Sequence, residues 1–288
     1  MRVEADAPLG PLTTYRVGGA ATHLAHLESE ADLAEASAFV RERGVPVLVV
    51  GKGSNLLVAD TGFDGLAVVL GDAFAEVDLA DDGTVRAGGA TPLPVLARRS
   101  AAAGRRGLEW AVGVPGSVGG GVRMNAGGHG SDIAASLLRV RVFDLATGDD
   151  GEVQAADLAL GYRRSAIAPS QVVVRADFRT EAGDAEAANA EIAEIVRWRR
   201  ENQPGGQNAG SVFTNPEGDS AGRLVDAAGC KGLRIGTAEV STKHANFIQA
   251  DPDGRAADVR ALIDEVQRRV RDAFGVELRP ELRLVGFE

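Results

Sequence analysis

Hydrophobic positions change their period several times along the chain, and each change predicts an element. Over 30–44, Leu33, Phe39 and Val40 recur at helical spacing and the segment ends on glycine, after which the β-branched run 45–50 predicts a strand at once. Segments 66–70, 77–79 and 85–87 read as strands, the last two joined through Asp81-Asp82-Gly83. Pro94 opens a short helix over 94–103. Runs at 138–143, 152–155 and 172–178, with a turn at Thr147-Gly148-Asp149, predict a mixed, partly antiparallel sheet. Residues 181–190 are rich in alanine and acid and lead into a strong helix bearing Ile192, Ile195, Val196 and Trp198, which Pro204 stops after Asn202. A long helix over 255–274 places Val259, Leu262, Ile263, Val266, Val270 and Phe274 on one face, a core stripe. The pattern predicts an α+β chain: a first domain over 1–180, a linker helix over 181–203, and a C-terminal domain over 204–288.

Two glycine-rich runs interrupt this pattern: GKGSNLLV at 51–58 and GVPGSVGGGVRMNAGGHG at 113–130. Glycine permits positive φ and lets the backbone approach a ligand closely, so clustered N–H groups can face an anion. The first run alone is ordinary turn chemistry after a strand. The second holds eight glycines, whose backbone entropy a simple connector would avoid. Read together, the runs form two halves of a cradle for a large anionic cofactor. Neither is a nucleoside-triphosphate loop, since no GxxxxGK[ST] occurs, and no GxGxxG opens a helix within a βαβ unit.

Composition narrows the classes. At 288 residues two or three domains fit, with about three quarters of the unfolded surface open to burial. The 31 basic and 41 acidic residues give a net charge of −10, with arginines interspersed among acids. That argues against a nucleic-acid partner, and an anionic ligand must be held locally. The single cysteine, Cys230, excludes an internal disulfide and suits a reducing compartment. The N-terminal MRVEADAPLG lacks the apolar core of a signal peptide, and no apolar run approaches membrane-spanning length, so a cytoplasmic protein without membrane association is expected. No obligate protein partner is evident. His23, His26, His129 and His244 show no HxxxH or HExxH spacing and there is no CxxC, so no metal is expected.

Three side chains invite chemistry. Ser211 follows Ala209-Gly210 and precedes Val212-Phe213, which displays a hydroxyl where a strand begins, although a serine there ordinarily caps a turn. Arg163, within Tyr162-Arg163-Arg164-Ser165, gains a role only if its planar fork meets a carboxylate; otherwise it extends to solvent. Glu281 lies near the start of a final strand marked by Leu282 and Leu284, where an isolated acid is ordinarily a solvated edge residue. Spacing alone does not unite the three.

The ordered set TTYRVGG (13–19), GKGSNLLV, GLEWAVGVPGSVGG (107–120), MNAG (124–127), GYRRS (161–165), AGSVFTNP (209–216), AGCKGLRIG (228–236), VSTKHANFI (240–248) and RPELRLVG (279–286) closely resembles the UDP-N-acetylenolpyruvoylglucosamine reductase family across essentially the whole chain. The resemblance implies a flavoprotein whose FAD-binding fold is of the vanillyl-alcohol-oxidase type in two subdomains, split near 70–75, followed by an α+β substrate domain. It implies an NADPH-dependent oxidoreductase of peptidoglycan synthesis, hence of cell wall biogenesis, cell shape and cell division. The small-molecule substrate would be UDP-N-acetylglucosamine enolpyruvate, with FAD bound noncovalently and NADPH as co-substrate. By resemblance, Gly51, Gly53, Ser54, Asn55, Gly116, Ser117, Gly119, Gly120, Asn125 and Gly127 bind FAD. Tyr162, Asn215, Lys231 and His244 contact the substrate, and Arg163, Ser211 and Glu281 are catalytic. Thr214, His129 and Lys52 depart from the residues common at their positions. With only Tyr15 and Tyr162 as tyrosines and a short 179–190 segment, the chain resembles the compact second type of the family, which lacks an inserted tyrosine lid. Two rival readings keep the glycine runs: a related FAD oxidase of another substrate, and a non-catalytic flavin or nucleotide-sugar module.

Overall fold

Local signals set the first helix. In α1 (Glu30–Arg43), Ser29 and Asp32 form a reciprocal capping box, and the Asp32 carboxylate accepts the N–H groups of Glu28 at 2.7 Å and Ser29 at 3.0 Å. Gly44, at φ +63°, closes the helix in the left-handed region. The structure, a computed structural model, describes residues 1–287. It forms two units, Met1–Ala5 with His23–Lys52 and Gly65–Arg199, and Asp6–Thr22 with Gly53–Asp64 and Arg200–Glu288.

The first unit holds two cores. In one, α1 buries Leu33, Ala36 and Val40 with Leu27, Leu66 and Val68. The accompanying four-stranded sheet runs in the order Arg2–Pro8, Ala20–Leu27, Phe63–Leu70, Val47–Val50, and its last two strands are parallel. The other core lies against an antiparallel five-stranded sheet ordered Asp150–Gln154, Leu137–Asp144, Gln171–Arg179, Thr84–Gly88, Val77–Leu79. Helices α2 (Leu93–Ala102), α3 (Val118–Met124) and α4 (Ala185–Asn202) contribute to it. Period-2 alternation holds in the second half of the strand Gln171–Arg179, where Ala176 and Phe178 enter the core while Arg175 and Asp177 take the opposite face; a register shift opposite Arg141 and Val142 separates it from the buried run Val172 to Val174. On α4 the apolar residues divide between two environments. Ala188, Ile192 and Ile195 are buried, whereas Val196 and Trp198 are exposed.

In the second unit α6 (Ala256–Phe274) buries Val259, Leu262, Ile263, Val266 and Val270. Phe274, expected on the same stripe, is 41% exposed instead; the helix ends at Gly275, φ +70°, so the core face runs out before its last turn. Arg223 lies over its ring at 5.9 Å. The start of α6 has no local cap, and Asp60 supplies one, accepting the N–H groups of Ala256 at 2.9 Å and Ala257 at 3.1 Å. Helix α5 (Ala221–Ala227), a three-stranded antiparallel sheet of Arg234–Ile235, Ala238–Val240 and Ile248–Ala250, and a parallel pair of Leu56–Val58 with Arg283–Val285 complete the unit. Among the described residues no helix is long and apolar enough to cross a membrane, and no group of His, Cys, Asp or Glu is arranged to hold a metal ion.

On the five-stranded sheet, Asp177 is 1% exposed. Its carboxylate lies 2.9 Å from Arg139 Nε, 3.3 Å from Arg175 Nε and 3.6 Å from Arg86 Nε. Removing the buried acid leaves three guanidinium groups crowded together. Asp177→Asn is therefore expected to lower unfolding stability by about 2 kcal/mol, less than for a fully buried pair because the arginines reach solvent. Urea unfolding checks this, and an unchanged midpoint would show that the arginines do not depend on Asp177.

Candidate active site

The two glycine runs contribute to one wall in the first unit. A Cβ on Gly51 would lie 2.5 Å from Ser117 Oγ, so glycine is what allows this approach. The second run is tied to the turn before α2: Val118 N–H donates to Thr91 O at 2.8 Å, Gly119 N–H to Gly89 O at 2.9 Å, and Leu93 N–H to Gly116 O at 2.9 Å. Because its amide is engaged, Gly119 serves close approach and not donation. Beside this wall opens a cleft. Its lining includes the apolar Val69, Leu70, Ile167 and Val172 and the polar Lys52, Ser117, Arg123 and Gln171, with no carboxylate. A lining of apolar residues, two cations and a hydroxyl fits a flavin dinucleotide, which joins aromatic rings through a doubly charged pyrophosphate.

Asn125 and Gly127 position the next segment. Asn125, 3% exposed and at φ +39°, donates from Nδ2 to Asp132 Oδ2 at 3.2 Å and Gly161 O at 3.1 Å, and its Oδ1 accepts Ala134 N–H at 2.9 Å. Its amide thus anchors a tight turn in which Gly161 and Arg164 exchange backbone hydrogen bonds of 3.1 Å. Arg163 sits at φ +56°, a left-handed conformation that a non-glycine residue adopts at a cost. Its Nη2 donates to Gly127 O at 3.2 Å, and its guanidinium lies 5.0 Å from the ring centre of Tyr162, which is exposed. His129 packs edge-on against Trp198 with ring centres 5.2 Å apart. Burial, and then the charge of Arg199, holds its pKa below the ordinary imidazole value.

The second unit brings Ser211 and Glu281 onto neighbouring segments. Glu281 N–H donates to Val212 O at 2.8 Å, and Phe213 and Pro280 form an isolated bridge. The strand expected to begin after Ser211 is absent, because a buried side chain takes the place of a ladder partner. Asn246, 4% exposed, accepts Phe213 N–H on Oδ1 at 3.0 Å and donates from Nδ2 to Phe213 O at 2.9 Å, while its own carbonyl accepts Val212 N–H at 2.8 Å. On the far side Asn55 Nδ2 donates to Glu281 O at 3.1 Å, and Asn55 O accepts Arg283 N–H at 3.0 Å. Gly53, at φ +60°, accepts Thr14 N–H at 3.2 Å; it and Ser54 share this unit, while Gly51 belongs to the other. Sequence reasoning missed Asn246. The available signal was a polar amide set beside Phe247-Ile248 in an apolar run, which demands a buried partner.

Three further predicted residues gather around α5. Asn215 Oδ1 accepts Ala221 N–H at 3.0 Å, and a Cβ on Gly222 would lie 3.3 Å from His244 Cε1. Lys231 pairs with Asp226 at 2.7 Å. His244 Nδ1 accepts Asn246 N–H at 3.2 Å, and burial, followed by the positive charge of Lys231, keeps its imidazole pKa below the ordinary value. A histidine depressed in the folded state stabilises it fully above the unfolded value of about 6.5 and loses that contribution as the pH falls below it. His244 should therefore titrate below 6.5 in a histidine NMR titration, and His244→Gln should flatten the loss of melting temperature between about pH 7.5 and 5.5. A midpoint at or above 6.5 would contradict the burial argument.

Comparison with known proteins identifies the family. Residues 202–285 match the model of the UDP-N-acetylenolpyruvoylglucosamine reductase C-terminal domain, and residues 21–154 match that of an FAD binding domain. The UDP-N-acetylenolpyruvoylglucosamine reductase of Synechococcus sp. (strain WH7803) is 44% identical over 99% of this chain and 94% of its own length. That of Heliobacterium modesticaldum is 44% identical over 97% and 89%. The crystal structure of the Thermus caldophilus UDP-N-acetylenolpyruvylglucosamine reductase superposes with a TM-score of 0.86 at 38% identity, covering 99% of both chains. With an FAD-binding fold of the vanillyl-alcohol-oxidase type and the C-terminal domain that accompanies it, the chain belongs to the UDP-N-acetylenolpyruvoylglucosamine reductase family of FAD-dependent oxidoreductases.

Proposed function

We propose that the chain reduces UDP-N-acetylglucosamine enolpyruvate to UDP-N-acetylmuramate with NADPH, in the cytoplasm, as a step of peptidoglycan precursor synthesis. The observation that carries this reading is the junction of Ser211 and Glu281, two residues 70 positions apart in sequence whose segments meet through the Glu281 N–H to Val212 O bond. FAD, held by Gly51, Gly53, Ser54, Asn55, Gly116, Ser117, Gly119, Gly120, Asn125 and Gly127, would supply at the enolpyruvyl methylene carbon the hydride that originates in NADPH. That transfer pushes negative charge toward the adjacent carbon and its carboxylate. Arg163 binds the carboxylate through its planar fork and stabilises the charge. Ser211 Oγ gives its proton to the carbon bearing the ether oxygen, completing reduction of the double bond. The resulting alkoxide is unfavourable and needs neighbouring donors or a relay. Glu281 assists beside the carboxylate, which requires that it carry a proton or act through a water. Tyr162, Asn215, Lys231 and His244 hold the UDP-sugar, Lys231 as a point charge for phosphate.

In this scheme residues 1–180 serve the cofactor, 181–203 connect, and 204–288 present the substrate and the proton donor. Ser54, with Gly53 and Asn55, belongs to the cofactor's surroundings.

Half-reactions separate the roles. In anaerobic stopped-flow absorbance, Ser211→Ala should accept hydride from NADPH at close to the parent rate, while reoxidation by the enolpyruvyl substrate should fall about 10²- to 10⁴-fold. Arg163→Lys should show the same split, because lysine keeps the charge and loses the fork. Reoxidation of Ser211→Ala at the parent rate would reduce the serine to a turn residue, and equal slowing of flavin reduction in Arg163→Lys would assign the arginine another role.

A further inference from the structure

Lys52 stands on the cleft of the first unit with no assigned task. The chain carries a net charge of −10, an unfavourable background for a dinucleotide with two negative charges. Yet the cleft lining includes Lys52 and Arg123 and no carboxylate. The two cations differ in freedom. Arg123 Nη1 donates to the carbonyls of Ile167 at 3.1 Å and Ala168 at 2.7 Å, which fixes its guanidinium to the cleft wall. Lys52, by contrast, is exposed. Its backbone position is set by its neighbours: Gly51 cannot carry a side chain against Ser117 Oγ, and Gly53 takes a left-handed φ of +60°. Lys52 is thus the first residue after the strand Val47–Val50 able to extend a side chain at this wall.

We propose that Lys52 is a cofactor-selecting residue, its ammonium group neutralising the pyrophosphate that distinguishes FAD from riboflavin. A lysine suits this task because it is a compact point charge on a flexible stem, able to follow a phosphate without fixed bidentate geometry. The glycine backbone supplies shape, and Lys52 supplies charge that the acidic chain otherwise lacks at this place.

Flavin fluorescence of the full-length holoenzyme on dilution gives the dissociation constant, and the same protein freed of FAD is titrated with riboflavin. Lys52→Met keeps the stem and removes the charge; Lys52→Arg keeps the charge. The methionine variant should bind FAD about tenfold more weakly, as for loss of one charge-assisted contact, with riboflavin affinity unchanged. Its FAD affinity should also depend less steeply on salt, while the arginine variant stays within about twofold of the parent. Melting of the FAD-saturated variants confirms that they are folded. Unchanged FAD affinity in Lys52→Met, or an equal loss for FAD and riboflavin, would overturn the assignment.

Discussion

The site in the second unit depends on one buried amide. Asn246 satisfies both backbone groups of Phe213 with its side chain and the N–H of Val212 with its carbonyl. A short extended segment is thereby fixed without belonging to a strand ladder. Buried backbone groups must find partners, and leaving either Phe213 group unpaired would cost about 1–3 kcal/mol. The next link is Val212 O, which accepts from Glu281 N–H, and the last is Asn55, which holds Glu281 O from the opposite side. The serine and the glutamate to which we assign proton chemistry are therefore carried by backbone that is over-determined, as a proton donor held to a fraction of an ångström requires.

The first unit solves a different problem, that of bringing backbone and charge close to a large anion. Its glycines allow close approach, as at Gly51 on Ser117, and its turn at Gly161–Arg164 holds Arg163 in a left-handed conformation. Asn125 resembles Asn246 in its economy: one buried amide anchors both the 132–134 segment and Gly161. Each polar side chain buried in this way is fully engaged, so it specifies geometry and stabilises the fold together.

What the sequence made legible follows from how local each signal is. Helix α1 was readable because Ser29, Asp32 and Gly44 cap it within its own segment. The strands at 77–79 and 172–178 were readable because each is a short apolar run rich in β-branched residues. The motifs that carry the family resemblance named Arg163, Ser211 and Glu281, but not what holds them. Asn246 acts 33 positions from Phe213, Asp60 caps α6 from 196 positions away, and Asn55 reaches Glu281 across 226. No periodicity encodes such pairs. Phe274 marks the converse case: an apolar residue at the helical spacing of a core stripe lies exposed where the core face ends.

Amide hydrogen exchange of the unmodified protein, read at single residues by NMR, tests the clamp most directly. If Asn246 and the Val212–Glu281 bond fix this segment, the N–H groups of Val212, Phe213 and Glu281 should exchange as slowly as those in the buried turns of α6, opening only with the unit as a whole. Exchange at the rate of the exposed Gly205–Gly206 turn would show that the segment opens locally, and the claim that buried amides position the serine and the glutamate would fail.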